Sequence, residues 1–314
     1  MRHGILLVDK PSGPTSHDIV EIARHALGIR QIGHMGTLDP LATGLLILGI
    51  GEGTKLQPFL AELDKTYECT AHLGARSSTY DAMGTIEAVA DPAGLEREKV
   101  VEAAAPFRGT IEQAPPPFSA VKVAGRPLYS YARRGEAVES RPRRVRVFSL
   151  DIVAWTPPDL ELRMRVSSGT YVRSIVHEIG ESLGVGAYVS RLRRTEVGAF
   201  NVGDAVAVAP GVANPDEWEK GWRSLGDALS HWDWVRVPEA LAGAVQNGAT
   251  IGATELETSR SPLEADRLVR LLDGGGRLLA VARCLVSRGE AAVQGPGGGR
   301  GEFLLKPVRV FHDE

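Results

Sequence analysis

Residues 33–50 read GHMGTLDPLATGLLILGI and join a glycine-rich loop directly to a run of apolar residues. The glycines at 33, 36 and 44 allow tight turns, and Pro40 removes a backbone hydrogen-bond donor, so the first part should form a loop. Leu45 to Ile50 has the composition of a buried strand. A loop tied to a strand in this way can hold the carboxylate of Asp39 at a fixed place.

The segment before this loop predicts a strand followed by a helix. Residues 4–8 form a short apolar run that ends at a proline-containing turn. Thr15 or Ser16 can cap the helix, Asp18 complements its dipole, and Gly28 ends its apolar stripe. We therefore expect one buried strand and one amphipathic helix ahead of the Asp39 loop.

Two later stretches alternate between apolar and polar residues, which predicts half-buried strands. They cover residues 66–73 and residues 160–166. A short turn follows the second stretch, and apolar positions from Val172 to Leu183 then predict a helix. Tyr171 and Arg173 therefore lie at a strand-to-helix junction, where their side chains can reach over a sheet edge into a cleft.

The C-terminal part of the sequence differs from the rest in its amino-acid composition. Four of the five tryptophans lie within residues 214–234, which we interpret as an inter-domain segment whose rings pack against both neighbours. Strand-like pieces follow at residues 268–272, 278–285 and 303–311, separated by glycine-rich turns. We therefore expect a large domain over residues 1–230 and a small β-rich domain over residues 231–314.

Composition disfavours several classes of protein. The 314 residues are 43% hydrophobic and 24% charged, which is ordinary for a globular protein. No stretch approaches the roughly 20 apolar residues that cross a bilayer, and the start lacks a signal-peptide pattern, so we expect a cytoplasmic protein. Cys69 and Cys284 have no Cys or His partner pattern, so neither a disulfide nor a metal site is expected.

The net charge of −3 hides a strongly basic segment. Residues 122–146 contain eight basic side chains against two acidic ones, and Phe118, Tyr129 and Tyr131 are interleaved with or adjacent to them. Cations can bind phosphates, and aromatic rings can stack on bases. The pattern favours an RNA-gripping surface within residues 104–150, while a plain solvated face would have the same composition.

The candidate site residues also have simpler interpretations when each is taken alone. An aspartate in an isolated Leu-Asp-Pro usually caps a turn, and Tyr67 could be an ordinary core residue. Arg173 could be a surface charge at the start of a helix, and His34 could be a turn residue. The catalytic interpretation therefore depends on the wider sequence.

Several ordered motifs resemble the TruB family of tRNA pseudouridine synthases. They are GILLVDKPSG with TSHD at residues 4–18, GHMGTLDPLATG at 33–44, KTY at 65–67, PPFSAVK at 116–122, SGTYVR at 168–173 and LRRT at 192–195. The motifs extend along nearly the whole chain, and the C-terminal part matches more weakly.

The resemblance implies a fold and an activity. The fold would be α+β, with a mixed, mainly antiparallel central sheet flanked by helices and a small β-rich, PUA-like RNA-binding domain at the C-terminus. The activity would be the isomerisation of uridine 55 in the T-loop of tRNA to pseudouridine, by base flipping and by breaking and remaking the glycosidic link. The chain would bind the T-loop and T-arm of tRNA as a monomer, without a cofactor, a metal or a guide RNA.

The resemblance also implies roles for individual residues. Asp39 would be the catalytic carboxylate, Tyr67 would stack on the flipped base, and Tyr171 would lie near the proton to be removed. Arg173 would pair with Asp39, and such a guanidinium is expected to lower the pKa of the carboxyl. Leu192 would line the pocket. The expected RNA contacts are Lys10, His34, Lys122, Arg126, Arg133 and Arg134.

The sequence departs from the family pattern in three places. Met35 stands where threonine is more usual, and Tyr188 stands where histidine is more common. Residues 77–81 read SSTYD instead of carrying the usual Thr-Asp-Thr ahead of the aspartate. RNA roles at Tyr188 and at the missing acid are therefore not carried over.

Three other functions compete with this interpretation. A glycosidase could use Asp39 as its nucleophile, but that chemistry needs a second carboxylate, and no acidic motif is comparably placed. A non-catalytic RNA-binding module would explain the basic segment and the C-terminal part. A guide-RNA-dependent synthase shares the aspartate loop, whereas Leu41-Ala42 and the stand-alone length favour the bacterial branch.

Overall fold

The computed structural model describes residues 2–119, 121–132, 134–136, 138, 140–208, 211, 214–252, 256, 258–259, 264–285 and 304–312. Within these ranges the α-helices are α1 (Ser16–Leu27), α2 (Gln57–Leu60), α3 (Arg97–Ala104), α4 (Leu128–Ala132), α5 (Val172–Ser182), α6 (Leu225–Ala228) and α7 (Glu239–Gln246). Short 3-10 helices occupy Gly51–Leu56, Ala105–Phe107, Val202–Asp204 and Pro215–Gly221. No helix of the described residues is long and apolar enough to cross a membrane.

The strands of the first half are β1 (Gly4–Lys10), β2 (Ile32–His34), β3 (Thr43–Ile50), β4 (Lys65–Leu73), β5 (Ala75–Ser77), β6 (Ile86–Ala88), β7 (Gly109–Gln113), β8 (Lys122–Val123), β9 (Arg126–Pro127) and β10 (Arg143–Thr156). The remaining strands are β11 (Asp159–Val166), β12 (Ala187–Val197), β13 (Phe200–Asn201), β14 (Val206–Ala207), β15 (Trp222–Arg223), β16 (Trp234–Arg236), β17 (Ile251–Gly252), β18 (Thr258–Ser259), β19 (Leu268–Leu272), β20 (Leu278–Cys284) and β21 (Leu304–Val310).

Eleven of the strands in the described part of the chain form one central sheet. Its main order is β14-β1-β3-β12-β4-β11-β10-β7, with β2, β13 and β15 paired at its sides. The β1–β14 and β3–β12 pairs are parallel, and the other pairs are antiparallel. The expected α+β fold with a mixed, mainly antiparallel central sheet is therefore confirmed.

The helix before the Asp39 loop begins and ends as the sequence predicts. Thr15 is the N-cap of α1, and it forms a capping box in which Thr15 and Asp18 each accept a hydrogen bond from the other's backbone N–H. Gly28 ends the helix in a left-handed conformation with φ 66°. The buried residues of α1 pack on the sheet beside β1 and β3, so this helix supports the loop that carries Asp39.

The main core lies between one face of the central sheet and three helices. Apolar residues of α1, α3 and α5 meet the inward-facing residues of β1, β3, β4, β11 and β12. The two alternating stretches are half-buried strands, as predicted, because they form β4 and β11, which pair in antiparallel register from His72 opposite Asp159 to Lys65 opposite Val166. The helix predicted after them is α5.

The basic segment does not form a single surface loop. β7 and β10 pair with each other within the central sheet, and β8, β9 and α4 lie on the excursion between them. Arg143, Arg144 and Arg146 therefore belong to a sheet strand, where their side chains are exposed.

A second sheet of six described strands has the order β17-β21-β20-β19-β16-β18. An apolar cluster joins it to the other face of β1 and β3, with Ile5 and Leu7 on one side and Leu278 and Phe311 on the other. Trp218 and Trp222 contact the main core, whereas Trp232 and Trp234 pack on this shared cluster. The boundary near residue 230 stays a prediction. Of the strand expected at 303–311, residue 303 lies outside the described residues, as does the preceding glycine-rich turn at 295–301.

Candidate active site

One cavity of about 240 Å³ brings together all five residues to which sequence analysis gave a catalytic or pocket role. Asp39 comes from the loop between β2 and β3, Tyr67 from β4, and Leu192 from β12. Tyr171 and Arg173 come from the start of α5. These residues are far apart in sequence, and the pairing of β3, β4 and β12 in one sheet is what makes them neighbours.

The Asp39 carboxylate is paired with the guanidinium of Arg173. Arg173 Nη2 lies 2.9 Å from Asp39 Oδ2, and Nη1 lies 3.2 Å from Oδ2 of a second carboxylate, Asp81. The exposed fractions of the side chains are 4% for Arg173, 6% for Asp81 and 37% for Asp39. Arg173 is thus held by a buried anion on one side and presents its charge to an accessible one on the other.

Two backbone carbonyls also accept hydrogen bonds from this guanidinium. Arg173 Nη1 donates to the Thr79 carbonyl oxygen at 2.8 Å, and Nη2 donates to that of Phe118 at 3.1 Å. A positive charge in the first turn of a helix is disfavoured by the helix dipole. The carboxylates and carbonyls offset this cost, so the position of Arg173 depends on all four partners.

The role of Asp81 is not predicted from the sequence, because residues 77–81 depart from the family pattern. No apolar periodicity marks Asp81 as buried, although its side chain lies within the protein. One signal was available in the sequence: an arginine at the start of a helix is disfavoured by the helix dipole and needs nearby negative charge. The acid that follows β4 by a short turn was a candidate for that role.

Burial raises the pKa of Asp39 above its ordinary value, and the nearby negative charge of Asp81 adds to the effect. The Arg173 guanidinium and the Lys10 ammonium lower this pKa but only offset part of the rise. The arginine lowers the pKa of Asp39 as expected, but the cost of removing the carboxylate from water is the larger effect, so the net direction is upward. A carboxylate with a raised pKa is more basic than an exposed aspartate.

Lys10 lies beneath the Asp39 loop. Its side chain is fully buried, and its ammonium donates hydrogen bonds to the carbonyl oxygens of Pro11 and Ala42, both at 2.8 Å, and of Pro40 at 3.4 Å. Burial lowers the pKa of Lys10 to about 8. The expected contact between Lys10 and RNA stays a prediction, and in this structure the ammonium is directed to the backbone of the loop.

Arg194 holds the same loop from the other side. Its buried guanidinium donates to the carbonyl oxygens of Leu45 at 2.7 Å, Gly36 at 3.1 Å and Thr37 at 3.3 Å. Gly44, with φ 99°, lies opposite Arg194 in the β3–β12 pair, and a Cβ there would collide with the Arg194 backbone. The loop is therefore fixed by two buried cations and a close approach that requires glycine.

Tyr171 is fixed through its backbone. The side-chain amide of Gln113 accepts from the Tyr171 N–H at 2.8 Å and donates to the Tyr171 carbonyl oxygen at 3.0 Å. Burial raises the pKa of the Tyr171 phenol, so its hydroxyl is protonated at neutral pH. The half-buried ring of Tyr67 and the buried side chain of Leu192 provide apolar surface in the same cavity.

The other expected RNA contacts lie outside the set of described residues that line this cavity. His34 is half-buried in β2, and burial lowers its pKa, so the imidazole is neutral at pH 7. Lys122 and Arg126 are exposed on the β8–β9 hairpin. Arg134 is exposed and pairs with Glu136 at 2.7 Å. Arg133 lies outside the described residues, and RNA binding by any of these residues stays a prediction.

Comparison with solved structures shows that the fold occurs in RNA–protein complexes. The chain superimposes on a chain of an H/ACA RNP bound to a substrate RNA containing 2'-deoxyuridine with a TM-score of 0.74 and 23% identity, over 99% of this chain and 85% of the other. An archaeal box H/ACA sRNP complex gives a TM-score of 0.73 at 23% identity, over 99% and 86% of the two chains. Residues 24–172 match the family model described as TruB family pseudouridylate synthase (N terminal domain). The fold is therefore that of a pseudouridine synthase.

Relatives with similar sequences indicate to which family of pseudouridine synthases the chain belongs. Residues 173–209 match the model of the tRNA pseudouridylate synthase B C-terminal domain. The chain is 41% identical to tRNA pseudouridine synthase B of an Azoarcus species, over 88% of this chain and 90% of the relative. It is 38% identical to the protein of the same name from Syntrophotalea carbinolica, over 99% of this chain and 98% of the relative. The chain belongs to the TruB family, and it is a tRNA pseudouridine synthase, an isomerase.

Proposed function

We propose that this enzyme converts uridine 55 in the T-loop of tRNA to pseudouridine, with Asp39 as its catalytic carboxylate. The observation that carries the proposal is the pairing of the half-exposed Asp39 carboxylate with the buried Arg173 guanidinium, inside a cavity that also contains two tyrosines. The relatives named tRNA pseudouridine synthase B support tRNA as the substrate.

The reaction needs no atoms or electrons from another molecule. The bond between C1′ of the ribose and N1 of uracil breaks, the base turns, and a new bond forms between C1′ and C5. The proton of C5 leaves, and N1 gains a proton, so the product is an isomer of the substrate. One ionised carboxylate can stabilise or trap the electron-poor carbon that arises when the first bond breaks.

The cavity fits a base that has left the RNA stack. It lies below the protein surface, so the uridine has to be flipped out of the folded loop before it reaches Asp39. The Tyr67 ring offers a surface on which the flipped base can stack, and Leu192 covers a second side. Tyr171 enters the cavity next to Asp39 and Arg173, where a group that acts on the C5 proton is needed.

Contacts outside the cavity would bind the rest of the T-arm. Lys122 and Arg126 are exposed and are available to phosphates, and residues 231–314 would form the PUA-like RNA-binding domain. The high coverage of relatives named as tRNA-modifying enzymes supports action without a guide RNA. The monomeric state stays a prediction.

The test is Asp39→Asn, assayed on unmodified tRNA whose uridines carry tritium at C5. Tritium release should fall on the order of a thousandfold or more, while the tRNA dissociation constant should stay within about twofold. Asp273→Asn is the matched control, because Asp273 forms an aspartate–arginine pair with Arg277 at 3.0 Å in the turn between β19 and β20. A normal rate in Asp39→Asn would refute the catalytic assignment, and normal tritium release from tRNA with cytidine at position 55 would refute the site.

A further inference from the structure

One face of α5 carries three side chains that each contact the segment of residues 76–81. Arg173, His177 and Glu181 are spaced four residues apart, so they project from the same side of the helix. Arg173 pairs with Asp81, and Glu181 pairs with Arg76 through two hydrogen bonds of 2.5 and 2.6 Å. The middle residue, His177, contacts Tyr80.

The contact between Tyr80 and His177 is a parallel ring stack. The ring centroids are 3.8 Å apart, and the planes differ by 9°. Burial lowers the pKa of His177 and raises that of Tyr80, so both rings are uncharged at pH 7. The contact is thus aromatic packing, and the tyrosine hydroxyl is not needed for it.

The backbone of Tyr80 is in an unusual conformation. Its φ is 63°, a left-handed value that is strained for a bulky residue and is kept only where the surroundings enforce it. The residues on either side use this conformation, because the Thr79 carbonyl accepts from Arg173 and the Asp81 carboxylate pairs with Arg173. Two of the four partners of the guanidinium therefore flank Tyr80 directly.

Two further contacts connect this segment to the rest of the site. The Tyr80 carbonyl accepts from the Val189 N–H at 3.0 Å, and the Ala82 N–H donates to the Val189 carbonyl at 2.9 Å. Tyr80 also lines a cavity of about 530 Å³, together with Pro115 and Pro117. Within the described part of the chain, His177 is the aromatic residue on which the Tyr80 ring stacks.

We propose that Tyr80 is a positioning residue for the isomerisation. Its ring, stacked on His177, keeps the Thr79 carbonyl and the Asp81 carboxylate on Arg173, and thereby directs the guanidinium toward Asp39. The proposal rests on the proposed function, since it requires Asp39 to be the catalytic carboxylate. Tyr80 itself touches no reacting atom, and its effect passes through Arg173.

The test compares Tyr80→Ala and His177→Ala with Tyr80→Phe in single-turnover assays at saturating tRNA. Loss of either ring should lower the rate about tenfold to a hundredfold, because small displacements of a positioning group have effects of that size. The tRNA dissociation constant should stay within twofold, and Tyr80→Phe should restore the rate. His72→Ala is the matched control, because it removes a histidine ring on β4 that contacts a different tyrosine, Tyr188, with a centroid distance of 5.3 Å.

A double variant shows whether the effect passes through Arg173. In an Asp81→Asn background, Tyr80→Ala should reduce the rate further by less than about twofold. Both substitutions disturb the same guanidinium, that of Arg173, so their effects on the rate are not expected to add. An unchanged rate in His177→Ala, a loss explained by weaker tRNA binding, or a fully additive loss with Asp81→Asn overturns the proposal. If Tyr80→Ala fails to fold, the rate of His177→Ala tests the proposal instead. His177→Ala is expected to fold, because alanine has a high helix propensity. A normal rate in Asp39→Asn would instead overturn the catalytic assignment on which the proposal rests.

Discussion

Arg173 Nη1 lies 3.2 Å from Asp81 Oδ2, and both side chains are almost completely buried. Asp39 and Arg173 both line the cavity, whereas Asp81 is not among its described lining residues. The guanidinium is therefore shared between a buried carboxylate and an accessible one. Breaking the buried pair changes how Arg173 is held and removes a negative charge near Asp39.

We expect Asp81→Asn to reduce the rate of isomerisation at saturating tRNA about tenfold to a hundredfold, with little change in tRNA affinity, because Arg173 loses its fixed orientation. The same change should lower the free energy of unfolding by about 3 kcal/mol, since it removes one partner of a buried ion pair. Single-turnover kinetics and thermal unfolding measure the two effects. Asp273→Asn breaks an exposed pair and should cost less than about 1 kcal/mol. Unaltered kinetics in Asp81→Asn would contradict the shared role of Arg173.

The pH dependence of the rate should report the raised pKa of Asp39. The reaction needs the ionised carboxylate, so activity is present above this pKa and is lost as the pH falls through it, at a higher pH than for an exposed aspartate. Asp81→Asn removes a nearby negative charge that raises this pKa, so the acid limb of the profile should move to lower pH. Single-turnover rates across the acidic range test this. If the acid limb of the Asp81→Asn profile stays at the same pH or moves to higher pH, the expected effect of Asp81 on the pKa of Asp39 is contradicted.

We expect Tyr67→Leu to lower the rate about tenfold to a hundredfold, because a stacked base loses its aromatic partner. Tyr67→Phe keeps the ring and should retain most of the activity. Rates on intact tRNA with both variants separate the need for a ring from the need for a hydroxyl. If the leucine and phenylalanine variants are equally active, Tyr67 does not stack on the base.

The exposed hairpin residues should act on affinity instead of rate. Lys122→Ala and Arg126→Ala should each weaken tRNA binding and reduce the slope of log affinity against log salt by about 1 per lost phosphate contact. Filter binding over a salt series measures this slope. Lys99→Ala, which removes an exposed charge on α3, is the control. A slope equal to that of the unaltered enzyme would exclude these side chains from phosphate contact.

Lys10→Met should change the rate of isomerisation and leave tRNA affinity unchanged. The change leaves the carbonyls of Pro11, Pro40 and Ala42 without their buried donor, which costs about 1–3 kcal/mol in loop stability. We expect a lower rate at saturating tRNA with unchanged affinity and an unchanged salt slope. If affinity falls as it does in Lys122→Ala, Lys10 contacts RNA after all.

The local structure around the site could be predicted to a large extent from the sequence. The limits of α1 follow from its capping residues and Gly28, and the strands β4 and β11 follow from strict alternation, because these signals are local. The five cavity residues were found together only because ordered motifs linked them. Composition and periodicity contain no information about which strands are neighbours in the sheet.

Burial of charge could not be predicted in the same way. Lys10, Asp81 and Arg194 are hidden by segments far from them in sequence, and their polar character alone suggests exposure. The direction of the Asp39 pKa shift has the same origin, because desolvation depends on what surrounds the carboxyl in space. Counting nearby positive residues in the sequence therefore gives the wrong sign.

The shared apolar cluster has a consequence for synthesis on the ribosome. Ile5 and Leu7 of β1 belong to a cluster that is completed by Leu278 and Phe311, which are translated long afterwards. Until then, this cluster lacks its last apolar partners, and its uncovered part is a place where chaperones can bind or nascent chains can associate wrongly. The catalytic sheet of this enzyme thus reaches its final packing only when the last strands have left the exit tunnel.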